Sequence, residues 1–150
     1  ARRRALALDA DNQFARLDLV ELLIDSQQVD EAQALLDAVT SHIDWDERAD
    51  TLRSALGFAR AAGGANGEAA LEAKVKANPA DLDARLTLAK LHAGAKRYAN
   101  ALDELLEIVR RDKNWKDGEA RRQILAIFNL AESQPDLVSA YRKKLASALN

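Results

Sequence analysis

The sequence predicts an all-α protein built from repeated antiparallel helix pairs. Of its 150 residues, 48% are apolar and 31% are charged, a balance typical of a folded, soluble domain. Only two prolines and six glycines interrupt long segments of strong helix formers. Within those segments apolar residues recur three or four positions apart, and no segment alternates apolar and polar residues over the length of a strand.

An internal repeat links the two halves of the chain. Residues 15–42 align without a gap on residues 84–111, at an offset of 69 residues. This offset is close to twice the ~34-residue period of a tetratricopeptide helix pair, so one more pair is expected between the aligned segments and a fourth from Trp115 onward. The coincident positions include Ala15/Ala84, Arg16/Arg85, Leu17/Leu86, Leu19/Leu88, Leu23/His92, Val29/Tyr98, Ala32/Ala101, Leu36/Leu105 and Val39/Ile108.

The predicted architecture is a tetratricopeptide-like solenoid of about four antiparallel helix pairs in a single domain, 1–150. Residues 1–8 would be the end of a preceding helix or a linker. The pairs are predicted at about 10–44, 45–78, 79–114 and 115–150.

Pairs one and three have clear helical stripes. Small side chains fall where their two helices would cross, at Ala89 with Ala101 and, less favourably, at Val20 with Ala32, which allows helix axes to approach to about 8–10 Å. The stripes are formed by Phe14, Leu17, Val20, Leu23, Ile24, Val29, Ala32, Leu35, Leu36 and Val39, and by Leu86, Leu88, Ala89, Leu91, Tyr98, Ala101, Leu102, Leu105, Ile108 and Val109.

Pair two is interrupted by glycines. Its first helix, over about 52–62, is predicted to stop at a turn over 63–67, because glycines end helices and permit left-handed backbone conformations. A short helix over 68–78 follows. Pro79 is then expected to open pair three at a first helical position, where its missing N–H costs little.

Pair four is predicted to close the domain. Its first helix runs from Asp117 to about Ala131, and the chain breaks at 133–136. A mostly polar outer face would let this pair cap the repeats. The second helix carries Leu137, Val138, Tyr141, Leu145 and Leu149 on one stripe.

Composition excludes several classes of site and partner. The absence of cysteine excludes thiol catalysis, disulfides and thiolate metal sites, and two histidines exclude a His-rich centre. A basic start is followed by too few apolar residues for a secretory leader, and no apolar run suggests a membrane span. We therefore expect a soluble, cytoplasmic protein with no cofactor, no nucleic-acid partner and no membrane partner.

Charge is unevenly distributed along the chain. Residues 1–75 carry a net charge of −6 and residues 76–150 carry +4, which sum to the overall −2. This asymmetry is expected to steer a charged partner. The chain lacks the strongly basic balance that is typical of nucleic-acid-binding domains.

The C-terminal sequence resembles a known family. The segments LLEIVRRDKNW, KDGEARRQILAIFNL and QPDLVSAYRKKLASAL, between Leu105 and Leu149, are similar to the C-terminal region of the YbbN/CnoX (chaperedoxin) family. Members of that family join a thioredoxin-like domain to a C-terminal tetratricopeptide domain. The resemblance implies that this chain is the C-terminal domain alone, with a thioredoxin-like domain expected upstream. It also implies a role in holding unfolded client proteins and passing them to chaperonin and DnaK-type machines.

A concave face is the first candidate binding surface. Tetratricopeptide arrays commonly receive a peptide or helix on the face lined by the first helix of each pair. The alternative is that the leucines there pack against neighbouring helices. The spacing does not place the Lys/Asn/Arg set that grips a C-terminal carboxylate on this face. The candidate residues are Phe14, Leu17, Glu21 and Ile24 in pair one, and Asp83, Leu86, Lys90 and Ala93 in pair three.

The basic C-terminal pair is the second candidate surface. Its cations would contact an acidic partner, with the chaperonin as one candidate. The alternative is that they are solvated charges on helix faces, some of them near helix C-termini. The candidate residues are Arg121, Arg122, Arg142, Lys143 and Lys144.

Other residues favour structural roles. Trp45 and Trp115 are predicted at matching places before a first helix, where an apolar side chain fixes the entry angle of the chain. No pattern places a nucleophile with a base, so the chain is predicted to be non-enzymatic. Two alternatives stay open: a spacer or oligomerisation module, and a helical enzyme with a pocket that holds His92 beside two carboxylates.

Overall fold

The computed structural model describes residues 2–63 and 67–150, with side chains from residue 10 onward. Over these residues the chain forms eight α-helices and no strand, so the predicted all-α class is confirmed. A 3₁₀ turn, Trp115–Asp117, precedes the seventh helix. The helices are α1 Arg2–Asp25, α2 Val29–Asp37, α3 Asp46–Gly63, α4 Glu68–Ala77, α5 Leu82–Gly94, α6 Tyr98–Arg111, α7 Glu119–Leu130 and α8 Pro135–Leu149.

Two predictions about how the first and third pairs begin were wrong. Residues 2–9 continue directly into α1 and form neither a separate preceding helix nor a linker. Pro79 does not open a helix, because α5 begins at Leu82, where the Asp81 carboxylate caps it by accepting a hydrogen bond from the Ala84 amide. An aspartate cap satisfies an amide that would otherwise lack a partner. The glycine turn predicted at 63–67 lies largely outside the described residues.

The chain divides into two compact units, unit 1 (Ala1–Leu56) and unit 2 (Gly57–Asn150). In unit 1, α1 packs against α2, and Val20 and Ala32, the predicted crossing pair, are both fully buried. The buried Trp45 donates from Nε1 to the carbonyl oxygen of Thr40 at 2.6 Å and lies directly before α3. The organisation of 1–150 as a single domain stays a prediction.

In unit 2, the core is centred on α6, which packs against α5, α7 and α8. The predicted crossing pair Ala89 and Ala101 is buried here as well. Tyr141 on α8 donates to Asp103 Oδ1 at 2.7 Å, and burial together with this hydrogen bond raises the pKa of Tyr141 to about 12. Side chains of α6 that are almost completely buried are Ala101, Leu102, Leu105, Leu106 and Ile108.

The internal repeat extends to the backbone of the turns. Gln27 and Lys96, which are equivalent at the offset of 69, both have φ = 62°. The Gln28 amide donates to the Leu23 carbonyl, and the equivalent Arg97 amide donates to the His92 carbonyl, both at 2.8 Å. Each of these hydrogen bonds joins residues five positions apart, and each closes the same type of turn at the C-terminus of a helix.

The two tryptophans are not equivalent. Trp115 lies in the 3₁₀ turn and is separated from α7 by three residues, whereas Trp45 immediately precedes α3. The 3₁₀ turn contains two residues with positive φ, Lys116 and Asp117, followed by Gly118 at φ = 81°. This insertion displaces Trp115 from the predicted position at the helix entrance.

Candidate partner-binding surface

In unit 1, the predicted concave residues divide into buried and accessible side chains. Leu17 and Ile24 are buried, so they pack within the protein, as the sequence left open. Phe14 is 37% exposed and lies edge-on to Trp45, with ring centroids 5.6 Å apart. Glu21 is exposed and forms an ion pair with Arg48 at 3.2 Å. A partner can therefore reach Phe14 and Glu21 but not the two aliphatic side chains.

In unit 2, the same division recurs along α5. Leu86 and Ala93 are buried in the core that includes α6. Asp83 is exposed, and Lys90 is half-buried. The accessible part of the predicted face is therefore polar in this unit.

The charged residues of α5 lie beside those at the start of α7. Lys116 Nζ contacts Asp83 Oδ1 at 2.7 Å. Burial by itself would raise the pKa of Glu119, but hydrogen bonds from Gln123 and Arg122 and the charge of Lys90 hold that pKa below its ordinary value. We call this group the α5–α7 charged surface; its residues are Asp83, Lys90, Lys116, Glu119, Arg122 and Gln123.

Arg122 belongs to this surface because it braces the turn before α7. Its guanidinium donates to Glu119 Oε2 at 2.6 Å and to the carbonyl oxygens of Asp117 and Lys116, at 2.6 and 3.0 Å. Arg122, which was predicted in the basic group, thus shares Glu119 with Lys90, which was predicted on the concave face. Sequence reasoning had assigned them to separate surfaces.

The other predicted basic residues have different environments. Arg142 lies 5.8 Å from the ring centroid of Phe128, and Lys144 lies 4.5 Å from that of Tyr141. Arg121 and Lys143 are exposed, and neither forms an ion pair within the described part of the chain. These two cations are the most available for an acidic partner.

A polar cluster surrounds His92, and it contains the two carboxylates that the sequence placed beside this histidine only as an open alternative. His92 is buried, as the repeat position suggested, but Arg97 Nε donates to its Nδ1 at 3.0 Å. The same guanidinium also pairs with Glu68, and Glu72 lies nearby. Burial, and then the charge of Arg97, lowers the pKa of His92 below its ordinary value. The cluster connects the start of α4 to the turn between α5 and α6, because it pairs Glu68 with Arg97, which are 29 positions apart in the chain.

This cluster contains the types of residue that are found in metal sites and catalytic sites. Glu68, Glu72 and His92 each present a ligand atom, and these atoms lie within 4.8 Å of one another. Arg97, however, uses the Nδ1 lone pair of His92 and one oxygen of Glu68. A fixed positive charge beside those atoms opposes cation binding, and the arrangement fits a structural link between helices.

A cleft in unit 1 also has a structural explanation. Its volume is about 350 Å³, and Asp46 lies in its wall. The Asp46 carboxylate accepts hydrogen bonds from Ser41 Oγ at 2.9 Å and from the His42 amide at 2.8 Å. The carboxylate therefore holds the chain at the start of α3.

None of the helices among the described residues is long and apolar enough to cross a membrane.

Comparison with known protein families divides the chain as the structure does. A tetratricopeptide repeat family model matches residues 61–150, and a second tetratricopeptide repeat model matches residues 3–56. Searches of curated proteins and of solved structures gave no match. The first match alone covers more than half of the chain, and the helix pairs and their repeated turns agree with it. The chain therefore belongs to the tetratricopeptide repeat family, whose members generally serve as protein–protein interaction domains.

Proposed function

We propose that this chain is the binding domain of a thioredoxin-fused chaperone, which holds unfolded client proteins and hands them to chaperonin or DnaK-type machinery. The resemblance at 105–149 supports the chaperone role. The observation that carries a binding role is that buried and accessible side chains alternate along the first helices, so each helix keeps its core while offering a polar or aromatic contact. Phe14 and Glu21 do so on α1, and Asp83 and Lys90 do so on α5.

The proposed activity is non-catalytic and takes place in the cytoplasm. Binding would combine burial of apolar client surface, at about 25 cal/mol per Å², with attraction between opposite charges. The α5–α7 charged surface supplies both signs of charge. Arg121 and Lys143 supply cations for an acidic machine such as the chaperonin.

An aggregation assay tests client binding. Light scattering from a denatured model enzyme is followed with and without the chain, alone and joined to its thioredoxin-like domain. We expect suppression of scattering, and we expect the combination of Phe14→Ala and Lys90→Glu to remove most of it. Leu125→Ala is the matched control, because Leu125 is 46% exposed on another helix.

A binding measurement tests the chaperonin contact. The immobilised chain is exposed to purified chaperonin at increasing salt, and Arg121→Glu with Lys143→Glu should weaken binding most strongly at low salt, where screening is least. Absence of both client protection and chaperonin binding, with and without the thioredoxin-like domain, would reject the proposal. A stable self-associated form without client binding would favour a spacer or oligomerisation module.

A further inference from the structure

One face of α1 is apolar and exposed. Ala15, Leu19 and Leu22 lie four and three residues apart, so they share one side of the helix. Leu19 is 45% exposed and Leu22 is 66% exposed, and Ala15 is exposed as well. We call these three residues the α1 outer face.

The internal repeat shows what covers this face in its other copy. At the offset of 69, Ala15, Leu19 and Leu22 correspond to Ala84, Leu88 and Leu91. All three of the α5 residues are buried, and Leu88 and Leu91 are only 2% and 3% exposed.

The helix that covers Ala84 and Leu88 is α4. Val75 is buried against both residues, and Leu71, one helical turn earlier, packs on the same cluster. A Leu and a Val spaced four residues apart on an amphipathic helix are therefore the complement that this repeat position accepts.

Charge distinguishes the α1 outer face from its copy on α5. Asp11, Asp18 and Asp25 flank the α1 face along the same side of the helix, and their equivalents on α5 are Ala80, Thr87 and Gly94. Asp18 is already ion-paired with Arg48 at 2.6 Å, so it adds less to the charge of this face than an unpaired carboxylate would. Residues 1–56 as a whole carry six basic and twelve acidic side chains. A helix that docks on α1 should therefore be more basic than α4.

We infer that the α1 outer face is a second docking site, which takes an amphipathic helix of a partner protein. That helix carries a leucine and a β-branched residue four positions apart, flanked by lysine or arginine. The site lies beside the accessible concave residue Glu21, since Arg48 pairs with both Asp18 and Glu21, and it requires no client binding.

A designed peptide provides the probe. It has the sequence of residues 67–78 with Glu68 and Glu72 replaced by lysine, and a hydrocarbon staple joins positions 69 and 73, which are exposed on the opposite side of α4 from Leu71 and Val75. The staple is needed because an isolated helix of this length is marginal in water. Fluorescence anisotropy of the labelled peptide measures its affinity for the full chain.

The expected effects follow from the loss of leucine burial. Leu22→Glu should weaken peptide binding roughly tenfold or more. Leu125→Glu should leave binding unchanged, and it is a matched control because Leu125 and Leu19 have nearly equal exposure, 46% and 45%. The peptide that keeps both glutamates should bind more weakly, and increasing salt should reduce that difference. Thermal unfolding followed by circular dichroism checks that each variant is folded.

Three results would overturn this inference. They are failure of the wild-type chain to bind the peptide, either alone or joined to its thioredoxin-like domain, equal binding by the wild type and Leu22→Glu, and a concentration-dependent dimer in sedimentation velocity that Leu22→Glu abolishes, which would make a second copy the occupant. None of these three results bears on the aggregation assay, because the Leu22→Glu variant should still suppress light scattering from the client. Failure of the proposed chaperone role is thus separable from failure of this docking site.

Discussion

The structure leaves no space for a side chain at Gly94. A Cβ atom there would overlap the carbonyl oxygen of Phe58 and come within 2.6 Å of its carbonyl carbon and 2.7 Å of Ala62 Cβ. Backbone atoms cannot rotate away as the end of a side chain can. The close approach of the end of α3 to the end of α5 therefore requires glycine.

We expect Gly94→Ala to lower the free energy of unfolding by about 3 kcal/mol, because the overlap outweighs the better helix propensity of alanine. Urea titration measures this change. Gly57→Ala is the matched control, since a Cβ at this helical glycine meets nothing within 4 Å. It should raise the free energy of unfolding by about 0.5–1 kcal/mol. Equal effects of the two substitutions would contradict the close packing at Gly94.

His92 makes stability depend on pH. Because burial and Arg97 lower its pKa below the ordinary 6.5, the folded protein takes up a proton less readily than the unfolded chain. The free energy of unfolding should therefore fall as the pH drops below about 6.5, toward the lower pKa of the folded state.

Leucine, the residue at the equivalent position 23, is the natural replacement for His92. We expect the His92→Leu variant to lose less stability than the wild type between about pH 7 and pH 5, as measured by urea titration at each pH. His42→Gln controls for removal of the exposed histidine. Parallel pH profiles for the wild type and His92→Leu would show that His92 is not the titrating group.

At the scale of elements, the turns between paired helices depend on residues with positive φ. Gln27 and Lys96 occupy this conformation without being glycine, which costs about 1 kcal/mol for an L-residue. The turn is nevertheless retained twice, because the amide after each residue closes the same hydrogen bond to the preceding helix.

We expect Gln27→Gly to raise the free energy of unfolding by about 0.5 kcal/mol, since relief of the backbone strain exceeds the entropy that glycine adds to the unfolded chain. Gln28→Gly is the matched control, because Gln28 has φ = −91° and gains nothing from glycine. Thermal unfolding of both variants measures the difference. A lower melting temperature for Gln27→Gly than for Gln28→Gly would contradict this account.

Some features of the elements were predicted from the sequence, and others were not. The offset of 69 residues predicted pairs one and three, and it holds for their turns because helix periodicity and turn conformation are local properties. The sequence placed His92 beside two carboxylates only as an alternative. Its partners Glu68 and Arg97 were missed, since they come from different elements and no local pattern joins them. Pro79 was misplaced because Asp81 supplies a better cap two residues later.

At the scale of the whole molecule, stability should not be uniform. Six of the 14 side chains of α6 are buried where it packs against three other helices, whereas three of the 15 side chains of α8 are buried. We expect hydrogen exchange followed by mass spectrometry to show the slowest amides in α6 and faster exchange in α8. Exchange in α8 as slow as in α6 would contradict this order.

The sequence by itself determined the helices, the pairing of α1 with α2 and of α5 with α6, and the repeat that relates α1 to α5, because these depend on residue periodicity and local turns. The tertiary structure decided which repeated positions are accessible. Leu19 and Leu88 have the same side chain and the same place in the repeat, yet one is exposed and the other is buried against α4. Exposure depends on the neighbouring helix, and a residue's own chemistry does not specify that neighbour.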